Sequence, residues 1–505
     1  MKNNDKEFEM NPSNLFDYKD TPLSPSLAEN VSNIETVLGK SSDLLLNPFF
    51  IGNIACNLIC FEGMISTQTI TNLILAPLTN IDPEKYTAAD KLFSHIHDNM
   101  LMAIDRGMPE KYGELIHRLM SGFAVLLIDG CPKAFAFGVQ GFETRGISEP
   151  STEGNIRGSH EGFVETVRTN MSLVRRRIKS PLLRFELFPV TEVSKVDVII
   201  AYMTDRVPMK LVKKIRKKLE ELPLESILGS GYVEPFMENP KPALFSGVSV
   251  TERPDVFCAK VLEGRIGILI EGTPFAIVCP ALFIENFQTL DDYNFRPFYA
   301  FLIRWIRYLS FFLAVFLPAV YVAVVTFHPE LFNHALLMTL ASAEQTAPLP
   351  IAVEAFIVLL FYEIIREAGV RLPKSVGGAV SIVGGLIIGD AAVSAGIISN
   401  PLLLACAISV TASFVIPSLN QQITVLRFIA VAAGSISGLY GISLLAAAVL
   451  VNICALENHG APVMSPLSPF TPKAMRDVLT RIGFPRMAKG RASVEKLHGV
   501  DMDRQ

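Results

Sequence analysis

The distribution of charged residues along the chain constrains the fold more than any other feature. Residues 1–300 carry the mixed charges of a soluble protein, but charges are sparse from residue 308 to residue 456. The chain becomes polar and basic again after Glu457. Half of the 505 residues are apolar and the mean hydropathy is +0.37, which is high for a soluble protein of this length. The sequence therefore predicts a soluble region, a membrane region and a tail.

Two hairpin signals indicate how the soluble region is divided. FAVLLIDGCPKAFAFGV, residues 123–139, and IGILIEGTPFAIVCP, residues 266–280, each place an acidic residue and a glycine between apolar runs. Glycine accepts the positive φ that a tight hairpin turn requires. The likeness is either a coincidence between two common hairpins or a sign of two related α/β subdomains. We predict a flexible lead over residues 1–42, subdomain 1 over 43–150 and subdomain 2 over 151–295.

A basic segment lies between the two hairpins. Residues 155–180 open with a polar, glycine-containing lead, and apolar residues then recur at helical spacing up to Arg175, Arg176 and Arg177. Cationic side chains at a helix C-terminus complement the helix dipole. The segment lacks interleaved aromatic residues and nucleic-acid-binding motifs. We therefore predict that the three arginines face solvent or contact another subunit or subdomain, in preference to an anionic membrane surface or a nucleic acid.

Five apolar segments make up the membrane region, residues 296–456. They cover residues 308–327, 349–365, 376–398, 402–416 and 428–456. Lys and Arg residues flank the first segment on its N-terminal side, follow the second, and recur in the tail, residues 457–505, which places these parts in the cytoplasm by the positive-inside rule. The N-terminus has no signal-peptide core, so it is also expected to be cytoplasmic. We predict about four crossings, with the short segment 402–416 re-entrant or half-spanning.

The third apolar segment is the candidate pore helix. Small residues recur every four positions, which permits either tight helix packing or a position beside a pore. Ionisable residues are costly at this depth and usually face protein or water, so they are candidates for an ion path. The pore-lining or pore-supporting candidates are Gly377, Ser381, Ile382, Gly385, Leu386, Gly389 and Asp390, and the other ionisable candidates are Glu354, Glu363, Arg366 and Glu367.

Four stretches carry a family resemblance that covers roughly residues 43–486. They are SEPSTEGNIRGSHEGFVETVRTNMSLVRRRIKSPLLRFE, PFYAFLIRWIRYLSFFLAVFLPAVYVA, EIIREAGVRLPKSVGGAVSIVGGLIIGDAAVSAGIIS and SPLSPFTP. With these motifs the chain resembles the A subunits of spore germinant receptors, the GerA family of endospore-forming bacteria. A paralogue made with the dipicolinate-export machinery belongs to the same family and is an alternative.

The resemblance implies a nutrient-gated ion channel in the spore inner membrane that triggers germination by releasing ions. It implies a homo-oligomer, a pentamer, with a transporter-like B subunit and a lipoprotein C subunit. No cofactor, metal or nucleic acid is expected. A secondary transporter is a further alternative, but the few membrane segments show no inverted repeat. No HExxH, GxSxG, P-loop or GxGxxG motif indicates an enzyme.

Overall fold

The computed structural model describes most of the chain. The described residues are 18–82, 88–99, 105–141, 149–150, 152–191, 193–238, 243–345, 347–372, 391–483, 485 and 493–502. Two five-stranded antiparallel sheets form the soluble region, and a group of long apolar helices follows.

The first sheet has the strand order β1-β2-β4-β5-β3. Its strands are β1 Leu44–Ile51, β2 Ile54–Phe61, β3 Arg106–Gly107, β4 Phe123–Ile128 and β5 Ala134–Gly138. Helices cover both faces, because alternate strand residues are apolar on both sides. One face packs against α1 Leu27–Leu38 and α5 Tyr112–Met120, and the other packs against α2 Thr67–Ile70, α3 Ala76–Thr79 and α4 Ala89–Asn99.

The second sheet repeats this order as β6-β7-β9-β10-β8. Its strands are β6 Leu183–Val190, β7 Val196–Met203, β8 Ser249–Thr251, β9 Ile266–Ile270 and β10 Ala276–Cys279. One face packs against α7 Met209–Glu220, near the short α8 Glu234–Met237, and the other against α6 Val167–Arg177 and α9 Pro254–Leu262. Both predicted hairpins form, β4–β5 and β9–β10, with Gly130 at φ 88° and Gly272 at φ 84°. The shared strand order favours related subdomains over coincidence.

Part of the predicted flexible lead packs on the first sheet. The Ser26 hydroxyl accepts the Glu29 backbone N–H and begins α1, and Gly39 ends the helix in the left-handed conformation at φ 61°. Ile34 and Leu38 on its apolar face are buried against the sheet. Residues 27–38 therefore contribute to the core of subdomain 1.

One short α-helix and five longer α-helices lie between the second sheet and the tail in the described part of the chain. They are α10 Asp291–Asn294, α11 Pro297–Phe327, α12 His334–Gln345, α13 Ile351–Arg371, α14 Asn400–Ser413 and α15 Asn420–Ala455. Among the described residues, two helical segments are long and apolar enough to cross a membrane, Pro297–Phe327 and Pro417–Ala455. α15 begins eight residues before the predicted segment and has a non-helical residue at Gly438, φ 62° and ψ −145°. The predicted number of crossings stays a prediction.

The tail packs back onto the soluble region. It forms the small hairpin β11 Glu457–Asn458 and β12 Ala461–Pro462, and the Asn458 amide donates to the Gly247 carbonyl at 2.7 Å. Further along, Val494 N–H donates to the Glu263 carbonyl at 3.0 Å. One apolar core joins Phe283 and Phe287 of subdomain 2, the membrane helices and tail residue Val478. The tail and subdomain 2 therefore lie at the same end of the helices.

Candidate functional site: the junction of soluble region and membrane helices

Two adjacent aspartates in α10 connect the basic linking segment to the membrane helices. Asp291 accepts the backbone N–H groups of Ile156 at 3.2 Å and Arg157 at 3.1 Å. The Asn294 amide also donates to the Arg157 carbonyl at 2.7 Å. The polar lead of residues 155–158 therefore binds a carboxylate of its own chain through backbone amides.

The neighbouring Asp292 holds two arginines of α11. Arg304 Nη2 lies 3.1 Å and Arg307 Nη1 lies 2.8 Å from Asp292 Oδ2, and both Asp292 and Arg304 are completely buried. Each bond is charge-assisted, because both partners are ionised. Removing one partner of a buried ion pair typically costs about 3–5 kcal/mol, since the other charge is left uncompensated. Asp292 thus fixes the start of α11 against subdomain 2.

The tail supplies a second carboxylate to the same network. Asp477 Oδ1 lies 3.2 Å from Arg304 Nη1, and the Tyr293 hydroxyl donates to Asp477 Oδ2 at 2.8 Å. Burial and the Asp477 charge both raise the pKa of Tyr293, so its hydroxyl remains a donor. The Tyr308 hydroxyl of α11 donates to the Val478 carbonyl at 3.0 Å. Linking segment, subdomain 2, α11 and tail therefore meet around Asp291 and Asp292.

A second buried ionic group, formed by Glu285, Arg265 and Lys260, lies in subdomain 2 next to this junction. Glu285 accepts from Arg265 Nη1 at 2.7 Å and from Lys260 Nζ at 2.5 Å. Burial acts to raise the pKa of Glu285, but the charges and hydrogen bonds of Arg265 and Lys260 outweigh it and lower that pKa to about 2. Glu285 therefore stays ionised at all physiological pH values and holds the segment before α10 in place.

Arg175 joins the two subdomains. Its Nε and Nη2 donate to the Asp43 carboxylate at 2.6 and 3.0 Å, and both side chains are buried. The guanidinium lies 4.9 Å from the ring centroids of both Phe61 in subdomain 1 and Phe185 in subdomain 2. Of the alternatives predicted for this arginine, the structure shows the subdomain contact and not the solvent-facing position, because an aspartate and two aromatic rings from outside its own helix enclose the side chain.

Arg176 and Arg177 remain close to their own segment. Arg176 Nη2 and Arg177 Nη2 lie 2.5 and 2.6 Å from the two Glu161 carboxylate oxygens, and Arg177 also donates to Ser159 at 2.7 Å. Both arginine side chains are about one-quarter exposed. They hold the polar lead against the end of α6, and contact with another subunit stays a prediction.

Inside the helix bundle, a proline creates a site for a buried arginine. Pro318 has no N–H, so it leaves the Ala314 carbonyl of α11 without its helical donor. Arg427 Nε of α15 donates to that oxygen at 2.8 Å, and Ser409 Oγ of α14 donates to it at 2.7 Å. Arg427 is 1% exposed. Three helices thus meet at one backbone oxygen, as expected when proline opens a membrane helix inside protein.

The ionisable candidates fall into separate contacts. Glu354 is 2% exposed and accepts the Ser399 N–H at 3.1 Å. Glu363 pairs with Arg366 at 2.5 Å, and the Thr424 hydroxyl donates to it at 3.3 Å. The remaining candidate, Glu367, forms an exposed pair with Arg371 at 2.6 Å. Glu354 and Glu363 do not share a partner among the described residues, as their half-turn offset on a regular helix predicts.

The candidate pore helix falls largely outside the described residues. This applies to Gly377, Ser381, Ile382, Gly385, Leu386, Gly389 and Asp390. Within the described ranges, no group of three or more His, Cys, Asp or Glu side chains is placed to hold a metal ion.

Sequence reasoning missed the residues that form the junction and the buried arginine. Arg427 directly precedes the predicted last segment, a position typical of a flanking charge. The aspartate pair at 291–292, followed by Arg304 and Arg307, was the available signal for the junction. Acidic residues before a helix and basic residues within it also occur as exposed charges, so this pattern indicates a buried ionic network only once the burial of the side chains is known.

Comparisons with known proteins cover nearly the whole chain. The sequence model of the family described as "Bacillus/Clostridium GerA spore germination protein" matches residues 32–493. The chain is 37% identical over 479 residues to "Spore germination protein KA" of Bacillus subtilis (strain 168), covering 94% of this chain and 88% of that protein. It is 36% identical over 470 residues to "Uncharacterized membrane protein YfkQ" of the same strain, covering 92% and 91%.

A solved structure is also similar to part of this chain. The N-terminal domain of the A subunit of the Bacillus megaterium spore germinant receptor GerK3 is 32% identical to this chain. The match covers 52% of this chain and 98% of that domain, with a TM-score of 0.42.

Proposed function

Because the chain belongs to the GerA family, the A-subunit family of spore germinant receptors, we propose that it is a receptor A subunit forming an oligomeric, nutrient-gated ion channel. The family indicated by the sequence motifs is confirmed by the match over residues 32–493. In this proposal the chain is not an enzyme. It works with a transporter-like B subunit and a lipoprotein C subunit, and it triggers germination by releasing ions.

The proposed location is the spore inner membrane, crossed several times. Two apolar helices long enough to span a bilayer support membrane association. Trp305 and Phe301 of α11 are exposed and pack edge to face beside the buried arginines of the junction. Amphipathic aromatic side chains favour the boundary between lipid and water. This supports a membrane surface near residue 305, with the soluble region just outside it.

Both termini lie on the cytoplasmic side in this proposal. The packing of the tail against subdomain 2 requires that both parts share one side of the membrane. The excess of basic residues before α11 and in the tail supports the cytoplasmic assignment. An even number of crossings follows, and four is the number that we propose.

The observation that carries the proposed mechanism is the adjacency of Asp291 and Asp292. One carboxylate binds the linking segment and the other binds α11. A shift of the two subdomains, for example on contact with a neighbouring subunit, would thus reach the first membrane helix through two consecutive residues. We propose that this junction transmits the opening signal to the helices around the pore, which residues 376–398 would line or support.

Deletion of the gene tests the role in germination. Spores of the source bacterium without this chain should lose the response to at least one nutrient, and the wild-type gene should restore it. The Asp292→Asn variant should restore it poorly even where the protein accumulates. Asp20→Asn is the matched control, because Asp20 forms an exposed pair with Lys111. Deletion spores that respond normally to every nutrient would contradict the receptor assignment.

A further inference from the structure

Three exposed arginines lie at the base of α11, where the soluble region meets the membrane helices. They are Arg157 in the linking segment, Arg296 directly before α11 and Arg476 in the tail. Among the described residues, none of the three forms an ion pair, although many other arginines of this chain do. We refer to these three residues as the basic neck.

The short helix α10 brings the basic neck together from three parts of the chain. The Asn294 amide at its end donates to the Arg157 carbonyl at 2.7 Å. The Tyr293 hydroxyl donates at 2.8 Å to the aspartate that directly follows Arg476. Arg296 comes two residues after α10 ends. The three cations therefore lie around one helix of four residues.

The carboxylates of this region do not neutralise the basic neck. Asp291 accepts backbone N–H groups of the linking segment, Asp292 pairs with two buried arginines of α11, and Asp477 pairs with one of them. The negative charges are thus engaged inside the junction, whereas the arginines of the neck are exposed. The outer surface of the neck is therefore mainly positive.

Exposed apolar side chains accompany these cations. Ile156, whose N–H donates to Asp291, is 77% exposed, and Phe298 in the first turn of α11 is 71% exposed. Phe301 and Trp305 continue the exposed aromatic face of the helix. Arginines beside large apolar and aromatic side chains are typical of the boundary between lipid and water.

The length of α11 places the basic neck at the depth of the lipid headgroups. The helix has 31 residues, about 46 Å at 1.5 Å per residue, whereas the hydrocarbon core is about 30 Å thick. The part after residue 305 is long enough to cross this core, so residues 297–304 extend beyond it. The neck lies beside these first two turns, in the layer that contains the lipid phosphates.

We propose that the basic neck binds the headgroups of anionic phospholipids in the inner leaflet. The three guanidinium groups pair with the phosphates, while Ile156 and Phe298 contact the adjoining part of the acyl chains. Because the backbone of residues 156–157 is bound to Asp291, the lipid also holds the linking segment at the membrane surface. This inference rests on the proposed membrane location but not on conduction.

Fluorescence quenching by brominated lipids tests this proposal, because Trp305 is the only tryptophan in the chain. The purified full-length protein is reconstituted into vesicles of phosphatidylglycerol and phosphatidylcholine, with bromine on the acyl chains of one lipid at a time. Both lipids carry a phosphate, but the choline group compensates its charge, so the comparison isolates net charge. We expect phosphatidylglycerol to bind beside Trp305 about fivefold more tightly than phosphatidylcholine.

Substitutions at the neck should remove this preference. Arg157→Gln, Arg296→Gln and Arg476→Gln should each reduce it, and the triple variant should bind both lipids equally. Arg157→Lys keeps the charge and should retain most of the preference. Lys133→Gln removes the same charge from an exposed pair with Glu110 in subdomain 1, so it is the control and should match the wild type.

The results distinguish this site from the other proposals. Equal quenching of the wild type by both lipids, or a preference that the triple variant keeps, would overturn the lipid site. Loss of the preference on addition of inorganic phosphate would assign the arginines to a free anion and also overturn it. If neither lipid quenches Trp305, the membrane boundary near residue 305 is contradicted as well. A lipid preference in protein that passes no ions would support this site and contradict only the channel.

Discussion

Arg427 Nε lies 2.8 Å from the Ala314 carbonyl oxygen, the oxygen that Pro318 leaves without a helical donor. The arginine is therefore a structural substitute for one backbone hydrogen bond. It carries that bond from α15 to α11, while Ser409 of α14 donates to the same oxygen. A movement of α14 or α15 relative to α11 would therefore change the length of at least one of the two bonds.

This relationship predicts a rescue. Arg427→Met should destabilise the protein by about 1–3 kcal/mol, because it removes the stronger of two donors from a buried carbonyl. Adding Pro318→Ala to that variant should recover part of the loss, since an alanine in place of the proline supplies the missing backbone N–H. Melting temperatures of the single and double variants test this. If the double variant is no more stable than Arg427→Met alone, the missing N–H of Pro318 does not explain the contribution of Arg427 to stability.

The junction predicts a strong effect of a small change. Asp292→Asn should cost about 3–5 kcal/mol, because Arg304 and Arg307 lose the charge that compensates them in a buried site. Asp20→Asn should change stability by less than about 1 kcal/mol, since that pair is exposed. Thermal unfolding of the full-length variants provides the comparison. If Asp292→Asn lowers the stability no more than Asp20→Asn does, the proposed role of the junction in the mechanism is contradicted.

The link between the subdomains is also testable. Arg175→Lys should weaken the contact by about 1–3 kcal/mol, because lysine cannot keep the bidentate bond to Asp43 or stack on Phe61 and Phe185. Hydrogen exchange should then accelerate in β1 and β2 next to the contact. Arg216→Lys on α7, half-exposed and paired only with Glu186 and Glu220 of its own subdomain in the described part of the chain, is the control and should leave exchange in β1 and β2 unchanged. Unchanged exchange in both variants would contradict a linking role.

Acidification should loosen the tail. Burial, and then the positive charge of Lys218, lower the pKa of His459 to about 4 from its ordinary 6.5, while its hydrogen bond to the Met237 carbonyl opposes the shift. In the unfolded chain His459 therefore binds a proton as the pH falls below 6.5, whereas in the folded chain it binds one only near pH 4. Stability should fall by roughly 3 kcal/mol over this window.

The matched variant for the pH effect is His459→Gln, which keeps a side-chain donor but does not titrate. Its stability should fall less than that of the wild type between pH 6.5 and pH 4. The difference should vanish above pH 7. Parallel pH profiles for the two proteins would exclude His459 as the titrating group.

The architecture was largely predictable because it follows from local patterns. The glycines at the turns of both hairpins, the apolar face of α6 and the charge-poor stretch after residue 308 each depend on a short segment. The first hairpin, β1–β2, was missed even though Gly52 and Asn53 at its turn carry a hairpin signal. β1 lies at the edge of the sheet, and Asn47 and Pro48 interrupt its apolar residues, so it lacks the continuous apolar run that marked the other strands.

The contacts at the sites were not predictable, because they join residues far apart in the chain. Arg175 meets Asp43 across 132 positions and Arg427 meets Ala314 across 113. No periodicity within either segment specifies its partner. A basic residue near a helix end usually faces water, so only the surrounding fold reveals that Arg175 is enclosed.

Ion flux through the purified full-length protein in liposomes tests the central claim most directly. We predict that oligomeric wild-type protein, together with its co-expressed partner subunits, releases trapped monovalent cations when nutrient is added. Asp292→Asn protein of the same oligomeric state should release them more slowly, and Asp20→Asn protein should match the wild type. If the folded wild-type oligomer passes no ions with or without nutrient and partners, the channel account is contradicted.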